Sequence, residues 1–405
     1  MKDEHDLASA LALLCGELTP VDGIEQLSLA GAATRYLAQD LVSPLDLPAF
    51  DNSAMDGFAV RAADCKLEAS LTCVGTALAG HPFAARLGVG QTVRVMTGAP
   101  LPEGADAVVI REDAIEEQAS IKVPAGIEAG RNVRLRGEHI AAGQSVLAAG
   151  TRLGASELGL AAAIGVTRVA AYRRLRIAIA STGDELADPP QRLSTHASYD
   201  ANRPMLARAC EALGFETRDC GICADQSSAL RDLIETALDD GFDALLVSGG
   251  SAQGDADIVR QAATIRFIPM NLRPGRGVAF GRFAHAGRTL ALFGLPGNAV
   301  AAFIAFHLLI VPVLCHLAGG RARIPLHLPM RLACAARAKA GRIDYRRARF
   351  VTASDGRLAV QPLAMQGSAM LRTVTEADAL IAVGPATAYQ AGELVPTVLL
   401  AALPG

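Results

Sequence analysis

The sequence predicts a multidomain chain of class α/β plus β. It has a doubly wound α/β domain, an inserted small β domain and a C-terminal β domain. Three observations carry this. The chain has 405 residues, and at about 150 residues per domain that is too long for one. Residues 174–320 alternate continuous apolar strands with amphipathic helices, the signature of a parallel sheet covered on both faces. The stretches on either side are instead short β-type pieces broken by Gly and Pro.

The elements follow in order. In residues 1–41, Leu7, Leu11, Leu14 and Leu18 recur at helical spacing, and a second run from Leu27 to Leu41 also reads as helical. Residues 42–142 are β-rich and turn-rich. Residues 143–173 pass from extended chain to a helix, SELGLAAAIG, stopped at Gly165. With residues 1–41 they form an N-terminal helical and linker domain. In 174–320, RLRIAIAST, FETRDCGI, DALLVSGG and TLALFGLPG are strands. RPMLARACEALG and SSALRDLIETALDD are helices, the first stopped at Gly214. Residues 321–405 return to short strands. No internal repeat or low-complexity tract is apparent.

Composition narrows the function. Apolar residues make up 51% of the chain, enough for real cores. Lys plus Arg is 38 against 41 Asp plus Glu, a net charge of −3, which leaves no basic excess to neutralise a nucleic-acid backbone. Aromatics are 4% and Trp is absent, which argues against base-stacking platforms. Eight scattered cysteines suit a reducing compartment. The one close pair, Cys220 and Cys223, has no second pair to complete a zinc site and reads as thiols at a strand end. The acidic, amphipathic N-terminus lacks the cationic start of a signal peptide. Ala299 to Ala318 is apolar enough to span a bilayer, but it follows a strand and a turn as a buried α/β helix would. A soluble, cytoplasmic protein without nucleic-acid or membrane partners is expected.

Ligands of doubly wound sheets bind beyond the carboxyl ends of the strands. Three strands here end in unusual loops: Ser181–Leu186, Ser248–Asp257 and Gly294–Asn298. Gly249, Gly250 and Gly254 let backbone N–H groups approach an anion, and Thr182, Ser248 and Ser251 add hydroxyls. Asp184, Glu185, Asp255 and Asp257 are too many carboxylates for a bare anion pocket unless a divalent cation intervenes, and Mg²⁺ prefers such oxygen ligands beside phosphate. Pro296, Gly297 and Asn298 make a tight turn before a helix N-terminus, which also attracts anions. Arg273-Pro274-Gly275-Arg276-Gly277 holds two guanidinium groups on a turn, a spacing suited to a tetrahedral oxyanion. Taken singly, each loop is also ordinary turn chemistry. Their coincidence at one sheet edge points to a phosphate-plus-metal site.

Seven motifs in order, PAFDNSAMDGFAV, VMTGAPLPEGADAVV, NVRLRGEHI, IAIASTGDEL, SGGSAQGDAD, LRPGRG and GLPGNA, resemble the molybdopterin molybdenumtransferases, the MoeA-type enzymes and the E domain of gephyrin. The resemblance covers essentially the full chain. It implies an elongated, four-domain subunit in a homodimer, with a molybdopterin-binding-like α/β domain. It also implies insertion of molybdate into adenylylated molybdopterin with Mg²⁺, releasing AMP and molybdenum cofactor. Possible partners are a molybdopterin adenylyltransferase or a recipient molybdoenzyme.

Residue by residue, the resemblance makes Asp56 and Thr97 the small β domain's contribution to the partner's cleft. Glu185, Asp255 and Asp257 become metal and phosphate carboxylates, with Glu185, Asp255, Asp56 and Thr97 catalytic. Thr182, Gly183, Asp184, Ser248, Gly249, Gly250, Ser251, Pro296, Gly297 and Asn298 become the pterin-phosphate cradle. Arg273, Arg276, Arg347 and Ser368 become the molybdate group. The chain departs from the family at several of these places. Arg273 and Arg276 replace two lysines, Gly277 and Ala299 replace prolines, His139 replaces an acidic residue, and Ala252-Gln253-Gly254 replaces Ser-Val-Gly. Two alternatives stay open on the sequence: a molybdopterin carrier or scaffold without insertion activity, and a related molybdopterin adenylyltransferase.

Overall fold

A computed structural model describes residues 4–118, 120–249, 265–353 and 355–400. The predicted class is the one observed: three six-stranded sheets, one flanked by helices and two essentially β.

The α/β sheet is built on the apolar strand Arg176–Thr182. Its neighbours on one side are Ala244–Ser248 and then Arg288–Leu295, and on the other side Glu216–Cys223, all parallel. Ala178, Ile179, Leu245 and Leu246 are fully buried, as expected of strands covered on both faces. The purely parallel expectation needs correction. Gly277–His285 and Ile265–Pro269 extend the sheet antiparallel. The hairpin turn Ala286-Gly287, both at positive φ, returns Gly277–His285 directly to Arg288–Leu295, so no crossover helix is needed there.

Helices Asn202–Ala212 and Ser227–Asp239 cover opposite faces of this sheet, packing into separate apolar clusters. The long apolar segment forms continuous helix over Ala299–Leu317 with a π-helical stretch at Phe306–Ile310. It is the single helix among the described residues long and apolar enough to cross a membrane, yet 83% of it is buried within the fold. Nearly all its side chains touch the α/β core or helix Leu7–Glu17. At roughly 1.5–3 kcal/mol per large side chain removed from water, this helix anchors the whole α/β layer.

The N-terminal reading is half right. Leu7–Glu17 is a helix, capped by Asp6 Oδ1, which accepts from Ser9 N at 2.7 Å. The run from Leu27 to Leu41 is not helical. Ile24–Ser28 is a strand pairing with Arg168–Tyr172, and one 3₁₀ turn follows at Ala30–Ala32. Gly31 and a positive φ at Thr34 interrupt the leucine spacing, and the pairing partner lies more than 140 residues away, beyond the reach of local periodicity.

A second sheet orders its strands Ala107–Ile110, Gly57–Val60, Gln91–Val95, Ala69–Ala77, Ser120–Val123, Ile115–Glu117. The third runs Leu272–Arg273, Ile343–Thr352, Ala379–Val383, Leu394–Leu399, Leu328–Arg331, and its sixth strand, Leu358–Pro362, pairs with Ile343–Thr352 off this path. Its first strand comes from the middle of the α/β region. Leu272 and Arg273 register against Ile343 and Asp344, which stitches the C-terminal sheet to the α/β sheet.

Candidate functional site

The carboxyl ends of the parallel strands form a floor. Thr182 ends one strand and Ser248 ends the next, and Gly249 N donates to Leu295 O at 3.0 Å. The three loops are in van der Waals contact. A Cβ on Gly249 would fall 2.3 Å from Thr182 O, so glycine is required for the approach. Gly249 also holds φ +101. The hydroxyls of Ser181 and Thr182 and the Oδ1 of Asn202 are buried with no hydrogen-bond partner among the described residues. Unsatisfied buried polar groups of this kind are costly, and their gathering at one strand edge is what a polar ligand's cradle requires.

Asn202 is a functional candidate that sequence reasoning missed. Its Nδ2 donates to Ser248 Oγ at 2.7 Å and to Gly297 O at 2.7 Å, clamping two strand-end loops together. Asp200 caps the helix beneath it, accepting from Asn202 N at 3.0 Å and Arg203 N at 3.2 Å. Arg203 is buried and bonded to Asp188, Asp200 and Asp219. An Asp-x-Asn-Arg string opening a helix was the available signal.

Glu185 stands on the exposed loop beyond Thr182, its carboxylate folded over Gly183. Asp184 and Asp225 hold each other's backbone, with N···O distances of 3.4 and 3.2 Å. Burial, together with the negative charges of Asp184 and Glu185, pushes the Asp225 carboxyl above the usual carboxylate range. Gly250, Ser251, Asp255 and Asp257 lie outside the described residues. Among the described residues, no three His, Cys, Asp or Glu side chains converge on a metal position. Cys220 and Cys223 sit on one strand as free thiols, as do the other six cysteines.

Beside the floor opens a cleft of about 1070 Å³ between the α/β and C-terminal sheets. Pro296, Gly297 and Asn298 line it from one side, Arg273 and Arg276 from their turn, and Ser368 from a loop that follows strand Leu358–Pro362 of the C-terminal sheet. Gly297 is the link to the floor, since a Cβ there would sit 3.7 Å from Gly249 Cα. Lys339, Arg342 and Arg346 join the lining, and among the described residues Asp344 is its one acidic side chain. Arg346 Nε bonds Asp344 at 2.8 Å, and Arg273 Nη2 donates to Ala340 O at 3.2 Å. Glu185 does not line this cleft.

Arg347 departs from the expectation. Its side chain is 1% exposed and lies behind the cleft wall. Nε donates to Thr373 Oγ1 at 3.0 Å, and Nη2 donates to Gly367 O at 3.1 Å and Met365 O at 3.4 Å. Along strand Ile343–Thr352 side chains alternate, so Arg346 faces the cleft and Arg347 the interior. Arg347 therefore orders the loop that carries Ser368, and Ser368 O accepts from Val300 N at 3.0 Å.

Two of the sequence departures have local explanations. Gly277 adopts φ +147, and a Cβ there would lie 2.1 Å from Ile268 O, so this backbone excludes both proline and any side chain. Ala299 is the first helical residue, where alanine and proline are both at home.

Asp56 and Thr97 lie in loops at the ends of strands Gly57–Val60 and Gln91–Val95 of the second sheet, away from the cleft lining. Asp56 Oδ1 accepts from Thr97 N at 2.7 Å and Thr97 Oγ1 at 2.8 Å, and these bonds hold its carboxyl below the usual range. Arg94 and Arg111 share the small depression beside them.

Comparison with known proteins covers nearly the whole chain. The MoeA N-terminal region (domain I and II) matches residues 5–165, a probable molybdopterin binding domain 178–316, and the MoeA C-terminal region (domain IV) 329–400. A molybdopterin molybdenumtransferase of Haemophilus influenzae is 32% identical, with 88% of this chain and 89% of that protein covered. One from Synechococcus elongatus is 33% identical over 91% and 93% of the two chains. A crystal structure of a molybdopterin biosynthesis moeA protein from Pyrococcus horikoshii superposes with a TM-score of 0.71 at 28% identity, covering 98% of this chain and 99% of that one.

Proposed function

The chain belongs to the molybdopterin molybdenumtransferase family, and from that premise we propose how its cleft inserts molybdate into adenylylated molybdopterin, releasing AMP and molybdenum cofactor. The observation that carries the proposal is the juxtaposition of an anion-ready strand-end floor with a cleft whose lining, among the described residues, holds five cations and one carboxylate.

Each part has a task. The floor of Thr182, Gly183, Asp184, Ser248 and Gly249, with the Pro296–Asn298 turn, takes the pterin phosphate end. Gly250 and Ser251, expected in the same cradle, lie outside the described residues. Arg273 and Arg276 take molybdate, a dianion, beside the dithiolene, and Ser368 supplies a hydroxyl. Planar guanidinium forks match tetrahedral oxyanions as well as the family's lysines do. Holding both reactants on one rigid frame turns their encounter into an effectively intramolecular step. Water then opens the adenylate anhydride, its oxygen joining one phosphorus as the bridging oxygen leaves with the other. Neither a Ser nor a Cys nucleophile is needed. Arg347 contributes by holding the Ser368 loop.

Mg²⁺ belongs to this proposal through Glu185, Asp255 and Asp257. Carboxylate oxygens suit a hard dication, and when bound it would offset the pyrophosphate charge. The described residues do not form a complete ligand set, so no step is routed through the ion. Asp56 and Thr97 are assigned to the cleft of a second copy in a homodimer, since within one chain they stand apart from it. A cytoplasmic location fits the free cysteines and the burial of the long apolar helix.

The test supplies purified protein with adenylylated molybdopterin and measures AMP with and without molybdate. Molybdate-dependent AMP release is expected. A carrier or scaffold would bind the pterin and release none, and an adenylyltransferase would require ATP as substrate.

A further inference from the structure

The N-terminal arm carries a carboxylate to the rim of the arginine cleft. His5 N donates to Pro269 O at 2.9 Å and His5 O accepts from Asn271 N at 2.8 Å, so the arm is pinned as a parallel bridge beside Met270. On its far side, Asp6 caps helix Leu7–Glu17. Glu4 is thus held next to the strand that leads into Arg273. Its Oε1 accepts from Arg342 Nε at 2.8 Å and also from Arg342 Nη2. Arg342 lines the cleft, and the Glu4 side chain is 31% exposed. The bond from Arg342, with the positive charges of Arg342, Arg276 and Arg273, holds the Glu4 carboxyl below the usual carboxylate range.

The charge inventory gives this contact its meaning. Arg346 is matched by Asp344 and Arg342 by Glu4. Among the described residues, Arg273 has a backbone acceptor only. Among the described residues, the side chains of Arg276 and Lys339 have neither ion pair nor hydrogen bond. The unspent positive charge of the cleft is therefore concentrated on Arg273, Arg276 and Lys339.

We infer that Glu4 is a built-in counter-anion of the molybdate cleft, whose charge, spent on Arg342, lowers the oxyanion affinity of Arg273, Arg276 and Lys339. The inference rests on the reading of this cleft as the molybdate site. Handing the oxyanion on from the cations to the dithiolene gives it a physical use. A small dianion held by an uncompensated cluster of cations dissociates slowly, and a fixed carboxylate at the rim weakens that grip without removing any ligand.

The test is a charge ladder read by equilibrium binding of molybdate alone at low, fixed ionic strength, with molybdate KM and kcat in the full reaction alongside. Glu4→Gln removes the counter-anion and should tighten molybdate binding about 3- to 10-fold, the scale of a partly screened ion at short range. Arg342→Gln leaves Glu4 uncompensated and should weaken binding by a similar factor. The double variant restores the wild-type charge and should return near the wild-type affinity. KM should follow this order while kcat changes less. A merely structural salt bridge moves both single variants in the same direction, and that result overturns the inference, as does a flat series. If the wild type turns over with molybdate and the ladder is flat, the counter-anion alone is refuted. If the wild type shows no molybdate-dependent turnover, the reading of the cleft itself falls.

Discussion

The side-chain amide of Asn202 donates to Ser248 Oγ at 2.7 Å, and through the same nitrogen to Gly297 O, so one buried residue holds two of the three strand-end loops in register. Removing it leaves a buried hydroxyl and carbonyl without a donor. Asn202→Ala should cost about 1–3 kcal/mol of stability and lower kcat/KM roughly 10- to 100-fold, because the floor and cleft share that register. Denaturant unfolding and steady-state AMP release check the two parts. An unchanged kcat/KM would remove Asn202 from the site.

Arg347 makes a different prediction from that of a molybdate ligand. It is buried with no described carboxylate within hydrogen-bond reach, and burial lowers its affinity for the proton. Arg347→Met should leave Thr373 Oγ1 and the carbonyls of Met365 and Gly367 short of a donor, at a cost of about 1–3 kcal/mol. Molybdate KM should rise through displacement of Ser368. Arg347→Lys cannot reproduce the fork and should recover little. If Arg347→Met were as stable as the wild type, the positioning role would be wrong.

His307 supplies a pH signature of the anchoring helix. Its Nδ1 bonds Phe303 O at 2.8 Å, and burial pushes the imidazole down to about 4. The unfolded chain takes up this proton near pH 6.5 and the folded one does not until about pH 4. The contribution to stability is therefore full above pH 6.5 and declines between pH 6.5 and 4, by up to roughly 3 kcal/mol. His307→Leu should flatten that part of the urea-unfolding profile. An equally steep decline in the variant would assign the effect elsewhere.

Asp225 works in the opposite sense. Burial and the charges of Asp184 and Glu185 raise its carboxyl, so its ionised form is disfavoured in the folded chain at neutral pH. Asp225→Asn should stabilise the protein by about 0.5–1 kcal/mol at pH 7, and the difference should fade as pH falls through the raised value toward the unfolded one. Thermal melts at pH 7 and pH 4 check the sign.

Most of the fold was legible because its signals are local. RLRIAIAST and DALLVSGG are continuous apolar strands, and Gly165 and Gly214 mark helix ends with φ of +76 and +90. Non-local facts were not legible. The pairing of Ile24–Ser28 with Arg168–Tyr172, and of Leu272–Arg273 with the C-terminal sheet, leaves no periodicity in the sequence. Arg273, Arg276, Ser368, Pro296, Gly297 and Asn298 come together at the cleft as the motifs suggested. The facing of Arg346 and Arg347 depends on strand register, where one residue exchanges cleft for core. Lys339 and Arg342 had no motif to flag them. Glu4 reaches the cleft only through a β-bridge made by the chain's first described residues.

The most direct test compares molybdate-dependent AMP release by the wild type and by Arg273→Gln/Arg276→Gln. The variant should keep its fold by circular dichroism and still bind the pterin substrate. Its molybdate-dependent turnover should fall at least about 100-fold, as expected when two charge-assisted contacts to a dianion are lost. Turnover at the wild-type rate and molybdate KM would contradict the assignment of this cleft.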